Sequence, residues 1–153
     1  MKIMKEKIVV TNRKARRDYY IDQVFEGGLQ LQGSEVKSLR EGKADLKGSY
    51  AVFLKGELFL QGMHINPYKY SREDYDPLRR RKVLLHKAEL HQLEQKTLQK
   101  GYALVPLRVY FRRGYAKAEL GLGRGKKHYD KRHALKEEQA KKEIDRAIKY
   151  KNR

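Results

Sequence analysis

The segment Ser49-Tyr-Ala-Val-Phe-Leu-Lys-Gly-Glu-Leu-Phe-Leu-Gln61 sets the fold class. Two short runs rich in aromatic and branched residues flank Lys55-Gly56, and a two-residue link containing glycine between such runs predicts a β-hairpin. The same pattern recurs where residues 102–112 and 115–122 alternate apolar and polar side chains around Arg113-Gly114. Pro106 puts part of the first of these strands at an edge or a bulge. Upstream, Tyr19-Tyr-Ile-Asp-Gln-Val-Phe25 reads as strand. Gly27-Gly28 should interrupt it as a bulge or bend, before Leu29 and Leu31 resume the alternation. Val83-Leu84-Leu85 predicts a short buried strand.

Helices fall between these strands. Asn12 is the expected cap of a single turn over residues 13–18, and Ser34 of a short helix ending near Gly42 with Val36 and Leu39 on one side. Leu90, Leu93, Thr97 and Leu98 are spaced for one face of a helix over residues 87–100, stopped by Gly101. Asn66-Pro67 marks a turn into a polar, tyrosine-bearing loop over residues 68–77. The whole is a mainly β, antiparallel architecture with peripheral short helices. Short strands and glycine-marked bends favour a closed or nearly closed barrel over an open sheet.

The 153 residues suit one domain and a tail, which are expected over residues 1–123 and 124–153. There are 37 Lys+Arg against 19 Asp+Glu, a net charge of +18, and 37% of residues are charged. An average soluble protein has roughly 25%. So one-sided a surplus calls for a polyanionic partner, with nucleic acid ahead of anionic lipid. The absence of cysteine excludes disulfides, thiolate zinc sites and a cysteine nucleophile. Apolar runs such as Ile8-Val9-Val10 fall far short of the about 20 residues of a membrane span or the about 7–15 of a signal-peptide core. The cytoplasm is the expected location.

Residues 124–153 hold 12 Lys+Arg and 5 Asp+Glu, which is +7 of the total and leaves +11 on residues 1–123. The tail is too poor in apolar residues to build a core, so it is expected to be disordered when free. Ala140, Ile144, Ala147 and Ile148 nevertheless share a helical face. Glu137–Lys141, Glu138–Lys142 and Asp145–Lys149 are i,i+4 pairs with the acid first. Such a helix is marginal alone and is expected to form on a partner.

Catalytic readings fail one by one. Gly121-x-Gly123-x-Gly125 lacks the closing glycine of a dinucleotide fingerprint, Lys126 standing there, and no strong helix is expected directly after it. Gly125-Lys126-Lys127 lacks the leading glycine and the hydroxyl residue of a P-loop. His86/His91 and His128/His133 are each five apart and do not share a helix face, so no metal site or cofactor is expected. Glu73, Asp74 and Asp76 beside Arg72 and Arg79-Arg-Arg81 suit a solvated, self-neutralising loop better than a magnesium nuclease. No enzyme is expected.

Binding features are stronger. Basic clusters at residues 13–17, 79–82 and 126–132 are each either a solvated face or a set of phosphate contacts; three on one small barrel favour RNA and make Arg13, Arg16, Arg17 and Lys82 candidate contacts. Eleven tyrosines could supply stacking. Tyr50, Tyr102 and Tyr110 lie in strands and are expected simply to pack; Tyr19, Tyr68, Tyr70 and Tyr129 are left open.

Specific words then matter more than composition. Asn12-Arg-Lys-Ala15, Tyr19-Tyr20, Phe25-Glu26-x-Gly-Leu29-x-Leu31-x-Gly33-x-Glu35-Val-Lys-Ser-Leu-Arg40-x-Gly42 and Ser49-Tyr50 resemble the small protein B, or SsrA-binding protein, family. So do Asn66-Pro67-Tyr68, Arg79-x-Arg-Lys82-x-Leu-Leu-His86-Lys87, Gly125-Lys-Lys127 and Asp130-Lys-Arg132, in register from about Ile8 onward. The resemblance implies an oligonucleotide-binding-type β-barrel that binds the tRNA-like domain of transfer-messenger RNA (tmRNA). It implies partnership with elongation factor Tu, the 30S subunit and ribosomal RNA in the rescue of stalled ribosomes. GTP hydrolysis belongs to the elongation factor. A basic ribosome-associated structural protein is the alternative.

By the same resemblance, Glu26, Leu84 and His86 match positions that matter for tmRNA binding, and some members have Asn where His86 stands. Glu26 cannot attract phosphate; it would accept from RNA donors or orient a nearby cation. Lys126, Lys127, Tyr129, Asp130, Lys131 and Arg132 fall in the tail segment used in the ribosomal decoding region. Ile148 matches a tail apolar residue in the message channel, and Ala140 stands where some members carry a bulky aromatic.

Overall fold

The computed structural model describes residues 6–71, 76–99 and 101–151. Its elements in chain order are β1 (Lys7–Thr11), α1 (Arg13–Asp18), β2 (Tyr19–Leu29), α2 (Gly33–Arg40), β3 (Ala44–Asp45), β4 (Tyr50–Leu54) and β5 (Glu57–Gln61). These are followed by β6 (His64–Ile65), β7 (Arg81–Leu84), α3 (Lys87–Thr97), β8 (Tyr102–Arg112), β9 (Tyr115–Gly125) and α4 (Lys126–Lys151). Seven strands make one antiparallel sheet in the order β1-β8-β9-β2-β7-β5-β4, and β3 pairs with β6 separately. The sheet curls until β4 faces the first half of β8 across a cavity of about 780 Å³ lined also by α1 and Leu98. No hydrogen-bonded ladder joins these two strands. The architecture is thus the expected mainly β one, coiled nearly shut with one open seam.

Both hairpins form where their links predict. Lys55 and Gly56, like Arg113 and Gly114, have positive φ at both central positions, as a type I′ turn requires. Pro106 sits at a bulge, because the β8–β9 register shifts between Pro106 and Arg108. Three expectations need correction. β2 runs unbroken through Gly27-Gly28, and its bulge lies instead between Ile21 and Gln23. Gly27 is there for close approach, since a Cβ would stand 2.5 Å from Val83 Cγ1 where β2 transfers its pairing from β9 to β7. Asn12 precedes α1 but does not cap it, because its amide donates to the Pro106 carbonyl at 2.9 Å. Finally, α2 is capped by Gln32 and not by Ser34, through a reciprocal capping box with Glu35.

The core fills the barrel from both sheet halves. Leu58, Leu60, Val83, Val109, Leu120 and Leu122 are almost fully buried. α2 inserts Leu39 and α3 inserts Leu93 into this core, each fully buried. Each such side chain contributes about 1.5–3 kcal/mol by leaving water. The helix over residues 87–100 is shorter than expected, ending at Thr97, and leaves Leu98 exposed beside the seam.

The same interior holds an ion pair. The Glu35 carboxylate and the Arg81 guanidinium are both fully buried, with Arg81 Nε 2.7 Å from Glu35 Oε2. Arg79 also donates to Glu35, and the Gln32 amide does so at 3.0 Å. Arg81 also donates to the carbonyls of Met63 and Pro77. Burial pushes the Glu35 carboxyl up, but these hydrogen bonds outweigh it and hold the group below the usual carboxylate range. One cluster therefore ties α2, β7 and the segment between β5 and β7 together.

Removing one partner should be costly. Arg81→Met leaves a buried carboxylate short of donors and should lower unfolding free energy by about 3–5 kcal/mol, read by urea denaturation. Because the folded Glu35 value is lowered, its stabilisation is complete above the unfolded value of 4.5 and drains as the pH falls through the folded one. Acid unfolding of Glu35→Gln should lack that component. At Gly123 a Cβ would collide with the carbonyl oxygen of Tyr20 and come within 3.2 Å of Ile21 Cα. Gly123→Ala should therefore force β2 from β9 and cost about 1–3 kcal/mol or more in the same assay.

Candidate nucleic-acid interface

The outer face of β8, β9, β2 and β7 carries a continuous polar surface. Strand alternation puts Arg108, Tyr110 and Arg112 of β8 on it. Register places Lys117 of β9 opposite Tyr110, Glu119 opposite Glu26 of β2, and Gly28 opposite Leu84 of β7. Tyr110 is almost fully buried beneath its charged neighbours, with the Arg108 and Arg112 guanidinium groups 4.7 and 5.5 Å from its ring centre. Its hydroxyl donates to Glu26, while Arg112 Nη1 donates to the other Glu26 oxygen at 2.8 Å. Arg112 also pairs with Glu6, and Arg108 joins Glu6 at 3.2 Å and Glu119 at 2.7 Å. Burial and the Glu26 hydrogen bond both push the Tyr110 hydroxyl well above its ordinary value, so it is a fixed donor.

This network shows what Glu26 touches. Both its oxygens are engaged by Tyr110 and Arg112, so the carboxylate orients a cation. The structure brings Lys82, Leu84 and Glu26 to one face. Leu84 is half exposed, Lys82 reaches Glu57 at 3.2 Å, and His86 sits just beyond at the start of α3 without capping it by its side chain. The sequence reading missed Lys117, which has no hydrogen bond or ion pair among the described residues and stands between Tyr110 and Gly28. Period-2 alternation within residues 115–122 was the available signal for it.

The basic cluster over residues 79–82 divides. Arg79 and Arg81 turn inward to Glu35, while Arg80 lies over Phe59 at 5.8 Å and Lys82 faces outward. Arg13, Arg16 and Arg17 are exposed on α1, which packs against β2, β8 and α4. Seven residues of strand separate Tyr19 from Glu26, about 23 Å at 3.3 Å per residue. The structure does not gather these arginines with Glu26; it puts them near the root of α4.

That root is a second polar centre. β9 runs through Gly125 and α4 follows at Lys126 with no intervening loop, so a helix does begin directly after the glycine run. The Tyr20 hydroxyl donates to Asp130 at 2.9 Å, which pushes the phenol above its ordinary value. Tyr129 meets Tyr20 edge-on with ring centres 5.4 Å apart, and Lys126 lies 5.1 Å from the Tyr20 ring. The Arg124 guanidinium stands 5.4 Å from the Tyr102 ring and 4.9 Å from that of Tyr129. Lys127, Lys131 and Arg132 are exposed, as is Ile148 farther along the helix. Tyr102 and Tyr110 pack as expected, whereas Tyr50 stays 46% exposed. Tyr19 packs beneath α1, and Tyr68 and Tyr70 form an edge-on pair with Lys37 over Tyr68.

Among the described residues no three His, Asp or Glu side chains cluster to hold a metal, and no helix is long and apolar enough to cross a membrane. Of the acidic loop, Glu73 and Asp74 lie outside the described residues, and Asp76 caps the turn at Leu78 and Arg79.

Comparison with known proteins agrees with this geometry. The family model for SmpB protein matches residues 9–150. The SsrA-binding protein of Geobacter sulfurreducens is 49% identical over 151 residues, covering 98% of this chain and 99% of the relative. That of Geobacillus thermodenitrificans is 50% identical over 143 residues, covering 93% and 92%. A solved chain described under "tmRNA-SmpB: a journey to the center of the bacterial ribosome" superposes with a TM-score of 0.65 at 55% identity, covering 76% of this chain and 83% of its own. A match over nearly the whole length of this chain and of its relatives places it in the SmpB (SsrA-binding protein) family.

Proposed function

We propose that this chain is a non-catalytic RNA adaptor of trans-translation, binding the tRNA-like domain of tmRNA and delivering alanyl-tmRNA to stalled ribosomes. The observation that carries the reading is family membership over residues 9–150, together with a solved relative described with tmRNA and the ribosome. The outer sheet face supplies suitable chemistry. It presents braced cations at Arg108 and Arg112, the Lys117 ammonium beside them and an exposed Leu84 for sugar or base surface. Double-stranded RNA is recognised through its shape and phosphates, which a braced face of this kind can grip. Glu26 acts here by holding Arg112 and Tyr110, while Lys82 and His86 border the face.

The basic helix α4 is the ribosome-directed part. Lys126, Lys127, Tyr129, Asp130, Lys131 and Arg132 at its root, with Ile148 farther on, are the residues for the decoding region. α4 leaves Leu135, Ile144 and Ile148 more than half exposed, so little barrel contact holds its outer length. Ribosomal RNA supplies the missing contacts along this outer length, and they offset the entropy of fixing it in place. Elongation factor Tu is the third member of the delivery complex.

Gel-shift competition at fixed salt should show preference for tmRNA over bulk tRNA. Equal competition, with stoichiometric co-sedimentation on all ribosomes, would identify a structural ribosomal protein instead. Lys117→Ala should lower the slope of log K against log salt by about 0.7–0.9. Glu26→Gln should weaken binding by about tenfold, the size of one charged hydrogen bond, with the slope unchanged. Truncation after Gly125, which preserves β9, should keep most of the tmRNA affinity and abolish peptidyl transfer to alanyl-tmRNA; loss of both activities together would refute the division of labour.

A further inference from the structure

Between the last strand and the tail helix lies a concavity of about 380 Å³ lined by Gly101, Tyr102, Arg124, Gly125 and one face of α4. That face is Tyr129, Arg132, His133 and Lys136, at the i, i+3, i+4, i+7 spacing that aligns side chains along a helix. Arg124, Arg132 and Lys136 thus converge from two elements, and none of the lining residues is a carboxylate. The neighbouring acids serve its flanks. Asp22 lies 3.6 Å from an Arg124 nitrogen, and Glu137 lies 3.0 Å from His133 Nε2.

Arg124 is placed more exactingly than a solvated cation needs. Two tyrosine rings hold its guanidinium, and its buried Nε has no hydrogen-bond partner among the described residues. Gly101 lines the floor, with Arg132 Nη1 3.8 Å from where its Cβ would be. α4 also opens with Lys126 and Lys127 and no acid in its first turn, the opposite of the charge its dipole favours there. Three cations and the amino end of a helix around a small cavity are matched by one tetrahedral dianion or phosphodiester.

We infer that this junction is a phosphate site that clamps one RNA backbone phosphate between Arg124 of the barrel and Arg132 and Lys136 of the tail helix. A phosphate held from both sides locks the direction of α4 relative to β9. RNA binding thereby sets where the tail points.

Two measurements on the full-length chain test this. Titration with inorganic phosphate at constant ionic strength should shift the Gly101 and Gly125 amide resonances saturably, and should not do so in Arg132→Gln/Lys136→Gln. Both substitutions put good helix formers at exposed sites, and unchanged ellipticity confirms that α4 persists. Dissociation constants are then measured against KCl for the tRNA-like domain of tmRNA and for 30S subunits. Lys136→Gln should lower the salt slope by about 0.7–0.9 with one of them, which identifies the source of the phosphate. The double variant should lose less than the product of the single losses, because both side chains hold the same group. Unresponsive glycine amides, unchanged slopes with both RNAs, or losses that simply multiply would each overturn the assignment. The inorganic phosphate arm is independent of tmRNA recognition, so failure here is distinguishable from failure of the adaptor function.

Discussion

The arrangement of this barrel hangs on a carboxylate that has no water to fall back on. Glu35 is fully buried, and every group that makes this tolerable comes from a different part of the chain: Gln32 before α2, Arg79 from the turn, Arg81 from β7. A buried pair of this kind adds little net stability over an apolar substitute, yet it penalises any arrangement that separates its members. The cost of being wrong fixes β7 in register against β5 and α2 against both. Once Arg81 must face inward, alternation obliges Lys82 and Leu84 to face outward beside Gly28. The outward placement of Lys82 and Leu84 is in this sense a consequence of the core.

The second charge network works differently. Glu6, Glu26 and Glu119 face Arg108 and Arg112 on an accessible sheet face, with Tyr110 beneath them. Exposed ion pairs contribute little stability. Their value is geometric, since an arginine already gripped by carboxylates has less rotamer freedom to lose when it meets a phosphate. Glu26 thus belongs on a basic face as the group that holds Arg112 and Tyr110 in place.

Much of this was legible in the sequence. The hairpin links at Lys55-Gly56 and Arg113-Gly114 are local, so local chemistry decides them, and both form as read. What was not legible depends mostly on partners distant in the chain, the local box of Gln32 and Glu35 excepted. Ser34 looks like a cap until Gln32 and Glu35 close their box, and Asn12 looks like one until the Pro106 carbonyl, 94 positions away, takes its amide. The run over residues 79–82 reads as four surface cations, but the buried Glu35 claims two of them. Gly27 reads as a bend because the sequence does not reveal that Val83 passes against its α-carbon. Of the candidate binding residues, the resemblance supplied Glu26, Leu84 and His86, Lys117 had only the period-2 alternation of its strand to mark it, and Arg124 emerges only once the fold is known.

The direct passage from β9 into α4 has a mechanical consequence. Twenty-six residues of helix span about 39 Å at 1.5 Å per residue. With no loop to absorb motion, a rotation of roughly 10° at Gly125 carries the far tip about 7 Å, more than one helical turn. The junction therefore works as the fulcrum of a long, stiff arm, and sub-ångström adjustments among Tyr20, Tyr129 and Arg124 are magnified at Ile148 into displacements the width of a nucleotide.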